Sequence, residues 1–322
     1  MIQRRIIVVG SVNMDLMLRC PHLPAAGETV LGTDFITAPG GKGANQAIAA
    51  ARLGALVSFV GCMGDDEYGT IARAALEADG VDTRHLVRVS GAATGVAMVI
   101  ADSAGENCIA LAPGANHLLS PAHIDAADAL FADAALLVCQ LESPLATVRY
   151  AMATAARHGV PVLLNPAPSQ VLPIDMLQGI DLLVANAGEA AVLTGYMASN
   201  VEEATHAGSV LRLAGVQTAM VTLGGQGVVL ASAESNAHFP AVKVHAVDTT
   251  GAGDTFVGAL ATARVRGFSL SASIDFAQQA AAFSVTRRGA RAGMPRLTAL
   301  TRLAAPKERH HEENWPAEQR AV

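Results

Sequence analysis

Aromatic residues make up only 4% of this 322-residue chain, with one tryptophan, and lysine occurs just three times, at Lys42, Lys243 and Lys307. With a net charge of −6 as well, the surface offers neither a basic stripe nor rings on which bases can stack, so nucleic acid is not an expected partner. Cysteine is also sparse. Cys20, Cys62, Cys108 and Cys139 show no CxxC or disulfide spacing, the pattern of scattered, reduced thiols in a cytoplasmic protein. No apolar run reaches the ~18 residues of a membrane span. Ile6 to Leu18 is broken by Asn13 and Asp15, which argues against a signal peptide too. No GxGxxG follows the first strand-like run, and Lys42 is followed by Gly43 with no GxxxxGK[ST] spacing. The dinucleotide fingerprint of a nicotinamide-dependent dehydrogenase and the Walker loop are therefore both missing, and no internal repeat is found.

What the chain has in quantity is small and branched apolar residues: 51% is hydrophobic and the mean hydropathy of +0.35 comes chiefly from alanine and valine. Its length suits one large α/β domain with a small appendage. Strand-like runs at 6–10, 57–60, 135–139, 160–164, 181–185 and 217–222 alternate with Ala-rich helical stretches. That pattern predicts a mostly parallel central sheet covered by helices on both faces, a three-layer α/β sandwich. Residues of about 14–37 and 94–112 break it as β-rich inserts. The second insert reads as Thr94 to Ile100 and Asn107 to Leu111 joined by the turn-forming Asp102-Ser103-Ala104-Gly105. A few strands cannot bury both their faces alone, so the inserts are expected to cover something. The alternating pattern ends near 304. Residues 305–322, which include Lys307-Glu308-Arg309-His310-His311, are charged without an apolar period and are expected to be disordered, with both histidines solvated rather than bound to a metal.

Four segments carry chemistry. Val247-Asp248-Thr249-Thr250-Gly251-Ala252-Gly253-Asp254-Thr255-Phe256 sets three small residues before one carboxylate at the start of an apolar helix. Gly251, Ala252 and Gly253 let backbone N–H groups crowd around a negative group, and the helix points its positive end at the same place. Asp254 then stands where a hydroxyl must lose its proton. An ordinary carboxylate is already ionised at neutral pH, so no special pKa is expected of it. Alone, the run also reads as a Gly-rich helix start with Asp254 as a partner of the helix dipole. Pro39-Gly40-Gly41-Lys42-Gly43-Ala44-Asn45-Gln46-Ala47 opens a helix that reaches about Gly54. Its glycines remove the Cβ atoms that hold a polar ligand off the main chain, while Lys42 and Asn45 offer charged and directional donors. The strand at 6–10 delivers Asn13 and Asp15 at its carboxyl end, where ligands of open α/β sheets bind. They form a pair suited to vicinal hydroxyls or a turn held by its own side chains. The strand from Ala135 to Cys139 leads in the same way to Glu142, a further hydroxyl binder or a helix cap.

Together these segments resemble the ribokinase-like (PfkB) sugar kinases. GSVNMD at 10–15, GGKGANQA at 40–47, TGVAMV at 94–99, QLESP at 140–144, LNPAP at 164–168, ANAGEA at 185–190, VTLGGQGV at 221–228 and DTTGAGDTF at 248–256 occur in that family's order and span nearly the whole chain. Any one is weak, but eight in order are not. The last is the family's general signature; GGKGANQA with Asn-Met-Asp and Gln-Leu-Glu points to ribose as the sugar.

The resemblance implies ATP-dependent phosphorylation of D-ribose at the 5-hydroxyl, with Asp254 as base and Gly251, Ala252 and Gly253 as anion hole. It assigns the sugar to Asn13, Met14, Asp15, Gly41, Lys42, Gly43, Ala44, Asn45 and Glu142. It assigns ATP to Asn186, Glu189, Thr222, Leu223, Gly224, Gly225, Gln226, Gly227, Gly253 and Gln278, with Mg²⁺ near Asn186 and Glu189. An activating K⁺ falls to Asp248, Thr250, Ser284, Arg287, Gly289 and Gly293. The β inserts become a lid over the sugar and the contact of a homodimer. Two departures stand out: the family usually carries further polar residues at Ala187 and Gly188, and it can present a serine at Gly293. Asn186 with Glu189 also reads as a plain helix cap, and Asp248 as a strand-end cap. The rival readings are a kinase of the same family for deoxyribose or fructose, which would share every catalytic part, and a non-catalytic sugar or nucleotide sensor. A sensor has no need of a base beside an anion hole.

Overall fold

The apolar run Ile6-Ile7-Val8-Val9 is buried on both faces, with Ile7 and Val9 in one core cluster and Ile6 and Val8 in the other. Successive side chains of a strand point to opposite faces, so a strand covered on both sides reads as unbroken hydrophobic sequence. In the computed structural model, which describes residues 5–104 and 106–304 without the side chains of 301–304, the strand Arg5–Val9 lies parallel between Ala134–Cys139 and Leu56–Gly64. Ile7 pairs with Ser58 on one side and Leu137 on the other. Beyond Ala134–Cys139 follow Val162–Leu164, Leu182–Asn186 and Thr218–Thr222, then the antiparallel strands Val228–Ala231 and Asn236–Phe239. The opposite edge is Asp82–Val89. The 305–322 tail, His310 and His311 lie outside the described residues.

The six expected strands are all present in this nine-stranded sheet, and three others were not expected. Asp82–Val89 mixes charges with apolar residues because it is an edge: Arg84 and Arg88 are exposed, a common device against pairing with a second chain. The hairpin at the other edge is short and only its inner strand, Val228–Ala231, is fully buried.

Helices Lys42–Arg52, Ala252–Val265 and Leu270–Ser284 cover one face of the sheet; Leu145–Arg157 and Val201–Leu213 cover the other. The contact that places the site is between the first two. A side chain at Gly258 would stand 2.6 Å from the Ala49 Cβ and 2.7 Å from the Gln46 carbonyl oxygen. The helices therefore approach at backbone distance, and their first turns, one carrying Asn45 and Gln46 and the other Asp254, meet at the carboxyl ends of the strands.

A second sheet has the order Asp34–Gly40, Asn13–Arg19, Gly95–Ala101, Asn107–Ala112. Asn13 pairs with Gly40 on one side and Gly95 on the other, so this sheet is rooted at the GSVNMD and GGKGANQA segments. Asn116 fastens the root: its Oδ1 accepts from the Val12 N–H at 2.9 Å and its Nδ2 donates to the Val12 carbonyl at 3.0 Å and Asn13 Oδ1 at 2.7 Å. The face that carries Phe35 and Met98, 59% and 56% exposed, stays apolar and open, while Ile109, 60% exposed, lies on the opposite face with Asp15.

Candidate active site

Asp254 sits in the first turn of its helix, after Gly251 in the left-handed region with φ 74°. A side chain there would press on Ala290 at 2.7 Å, so the turn needs glycine twice over. Both carboxylate oxygens of Asp254 are held: Asn45 Nδ2 donates to Oδ2 at 3.0 Å and Gln46 Nε2 to Oδ1 at 3.0 Å. Contrary to the expectation of an ordinary pKa, that of Asp254 is raised. Burial is the main cause; Lys42 and the Gln46 and Asn45 amides pull it back, and Glu142 adds to the rise. Of the three anticipated anion-hole donors, the Ala252 N–H is engaged by the Thr249 carbonyl at 3.1 Å, while those of Gly251 and Gly253 make no hydrogen bond among the described residues.

The residues expected to hold a sugar converge on Lys42. Its backbone N–H donates to Glu142 Oε2 at 3.1 Å, and the same oxygen accepts from Ser11 Oγ at 2.5 Å and Asn13 Nδ2 at 3.3 Å. Glu142 therefore caps the helix Lys42–Arg52, not the helix that follows it in sequence. Gly41, at φ 94°, and Gly43 lie so close to the strand end that a Cβ at either would meet Ser11 backbone atoms within 2.9 Å. Burial by itself depresses the Lys42 ammonium, but Asp254, Glu142, Glu189 and Asp15 around it outweigh burial and raise its pKa. Asp15 is pushed up to about 6 by burial first, then by Glu142 and Asp254, against Lys42. Met14 and Ala44 are buried in the core beside these groups.

On the other side of Asp254 opens a cleft of about 560 Å³. Of the residues expected to hold ATP, Thr222, Gly224, Gly225, Gly227, Gly253 and Gln278 line it, whereas Leu223, Gln226, Asn186 and Glu189 do not. Its walls were not anticipated: Val242, Val244, Ala246, Phe256 and Val285 make it an apolar slot, the usual lining of a small-molecule site. Asn186 and Glu189 form a reciprocal cap, with the Glu189 N–H to Asn186 Oδ1 at 2.8 Å and the Asn186 N–H to Glu189 Oε2 at 2.8 Å. The cap does not isolate Glu189. Its pKa is raised by burial first, against the Asn186 N–H and Lys42, and Asp254 raises it further, so its charge is felt across the site.

The segment expected to hold a cation is tied together by Asp248. Asp248 Oδ1 accepts from the Thr250 N–H at 2.9 Å and Oδ2 from the Gly289 N–H at 2.8 Å. The carbonyls of Asp248, Thr250 and Arg287 accept no hydrogen bond among the described residues, whereas those of Ser284 and Gly289 do. At Gly293 a Cβ would stand 2.6 Å from the Ser284 carbonyl oxygen, so this backbone has no room for a serine there without shifting.

Comparison with known proteins gives consistent matches. A family profile described as pfkB family carbohydrate kinase matches residues 3–297. The ribokinase of Haemophilus influenzae is 41% identical over 293 residues, covering 91% of this chain and 96% of its own. That of Schizosaccharomyces pombe is 42% identical over 302 residues, covering 91% and 95%. The solved structure of Arabidopsis thaliana ribokinase complexed with ribose and ATP superimposes with a TM-score of 0.87 at 32% identity, covering 94% of this chain and 99% of that one.

Proposed function

The chain belongs to the pfkB family of carbohydrate kinases, and from that premise we infer that it phosphorylates D-ribose at the 5-hydroxyl with ATP, giving D-ribose 5-phosphate and ADP. The observation that carries this reading is the place of Asp254, with the Lys42, Glu142 and Asn13 cluster on one side and the Gly253-lined apolar slot on the other. A sugar hydroxyl held by the first group faces a phosphoryl group held in the second.

Asp254 takes the proton of the 5-hydroxyl as its oxygen attacks the γ-phosphorus in line. The bond from that phosphorus to the bridging oxygen breaks, and its electron pair leaves with ADP. Phosphoryl transfer needs mainly positioning and charge neutralisation. The Gly251 and Gly253 N–H groups and the helix N-terminus supply the second, with Lys42 balancing four nearby carboxylates. Asn13, Asp15, Asn45 and Glu142 hold the sugar, and Val242, Val244 and Phe256 enclose the base of the nucleotide. Glu189 and Asn186 would hold Mg²⁺ through its water and the phosphates, since their own atoms are already paired with each other; the ion neutralises phosphate charge. We read residues 1–304 as the kinase domain, the four-stranded sheet as its lid, and the open apolar face of that sheet as a homodimer contact. Among the described residues no helix is long and apolar enough to cross a membrane, and with its scattered free cysteines we place the protein in the cytoplasm. The intact Gly-Ala-Gly-Asp run disfavours a sensor.

A coupled ADP-release assay over D-ribose, deoxyribose, fructose and nucleosides tests the substrate. D-ribose is expected to give the highest kcat/KM. A far higher value for fructose or a nucleoside would displace the sugar and leave the kinase standing.

We also assign K⁺ to the Asp248 segment, whose hard oxygen donors suit an alkali ion. Bound there, it would orient the Gly251–Gly253 N–H groups without touching substrate. Carbonyl sites separate cations by cavity size and ligand number, so the rate should be higher in potassium than in sodium or tetramethylammonium chloride at fixed Mg²⁺, and Asp248→Ala should erase the difference. Equal rates in all three salts would refute the assignment.

A further inference from the structure

The mechanism above leaves one buried polar residue of the GGKGANQA segment without a part. Gln46 is 1% exposed, and a glutamine so placed is unfavourable unless its polar atoms are paired. They are paired in one direction only. Asn165 Nδ2 donates to the Val184 carbonyl at 2.9 Å, an atom that can only accept, so Asn165 Oδ1 is the atom turned toward Gln46. Gln46 Nε2 must then donate to it, at 3.0 Å, and its second N–H points at Asp254 Oδ1, also at 3.0 Å. Gln140 Nε2 donates to Gln46 Oε1 at 2.6 Å and fixes the remaining atom. This chain of amides delivers an N–H, never a lone pair, to Asp254. Asn45 delivers another to Oδ2. Each carboxylate oxygen keeps a further lone pair for the cleft, but a proton on Oδ1 in line with Gln46 would face an N–H.

We propose that Gln46 is a positioning residue for phosphoryl transfer, holding Asp254 in the orientation and the acceptor state that proton removal requires, and that Asn165 ties this pair to Glu189. The tie is the contact from Asn165 Nδ2 to Glu189 Oε2 at 3.4 Å. The proposal rests on Asp254 as the base. Around Asp254 stand Lys42 from its own helix partner, Glu142 and Asp15 from the strand ends, and Glu189 from the neighbouring helix. One cation against three carboxylates, in a buried place, leaves the ionised form in need of directed donors. Among the described residues, Gln46 supplies one of two amide bonds to it.

The test uses the full chain with Gln46→Met and Gln46→Glu, measuring kcat, both KM values, the pH dependence of kcat and thermal stability. We expect Gln46→Met to lose roughly 10²-fold in kcat, the scale of a misplaced reacting group, with KM for ribose and ATP little changed and the acid limb of kcat displaced to higher pH. Gln46→Glu keeps the size, turns an acceptor toward Oδ1, and should displace the limb further. It is the deciding variant if Gln46→Met does not fold. A structural role alone would lower stability and the active fraction while leaving the limb in place, and that result overturns the proposal. Asp254→Asn is measured beside them. If it retains turnover, the base assignment itself has failed; if it is inactive while both Gln46 variants behave normally, only the present inference has.

Discussion

Asp254→Asn should fold, bind ATP and lose ~10² to 10⁴ of its turnover, the range a general base typically contributes. The loss comes from the missing acceptor, because the anion hole is backbone and survives the change. The substitution is not structurally silent. Asn45 and Gln46 donate to the two oxygens of Asp254, so the new amide must turn its own NH₂ toward one of two donors, leaving a buried group unpaired at a cost of ~1–3 kcal/mol. A modest drop in unfolding midpoint should therefore accompany a far larger drop in kcat, and calorimetric ATP affinity should remain close to that of the unaltered protein. Near-normal kcat in folded, purified enzyme would remove Asp254 from the role of base.

The difference between what the sequence announced and what it concealed follows from the range of the interactions. Ile6 to Val9 announced a strand buried on both faces because local alternation does not matter when both faces are covered. Asp82–Val89 concealed one, since an edge strand carries the arginines that a central strand excludes. At the site, Asp254 and Lys42 were visible through motifs whose local turn chemistry is written in glycines, and Glu142 through its place at the end of the strand Ala134–Cys139. Gln46 and Asn165 were visible as letters of GGKGANQA and LNPAP but not as chemistry. They meet across 119 residues of chain, and nothing local says that one amide will be aimed at a carboxylate 208 residues away. The raised pKa of Asp254 was hidden for the same reason, being a property of what the fold packs around it. The walls of the apolar slot, Val242 and Val244, lie in a segment without strand or helix, where no periodicity marks them.

Outside the cleft, Asp79→Ala should be strongly destabilising, by roughly 3–5 kcal/mol, as expected when one partner of a buried ion pair is removed and the other stays behind. Asp79 caps the helix Glu67–Ala78 with its side chain only 1% exposed, facing three arginines. They are not equivalent. Arg296 is 63% exposed and contributes little, like most surface pairs. Arg52, 12% exposed, is bidentate, with Nε to Oδ1 and Nη2 to Oδ2 both at 2.9 Å, and Arg291 adds Nε to Oδ2 at 3.1 Å. Removing Asp79 strands the Arg52 guanidinium, and that term dominates. Burial opposes ionisation of Asp79, but the Arg52 and Arg291 bonds prevail and its pKa is lowered. Its contribution is thus present above the ordinary carboxylate range and lost as pH falls through the lowered value, so the gap between variant and unaltered protein should narrow in acid. Arg52 Nη1 also donates to the carbonyls of Arg291 and Met294, at 2.5 and 3.1 Å, which flank Gly293. The same cluster therefore anchors the segment whose Gly289 N–H holds Asp248, and a loosened anchor should raise the K⁺ concentration needed for half-activation as well as lower stability. Urea unfolding at neutral and acid pH, with a potassium titration of the rate, separates the two effects. A loss below about 1 kcal/mol would mean that Asp79 behaves as an exposed pair, and the anchoring argument would fall with it.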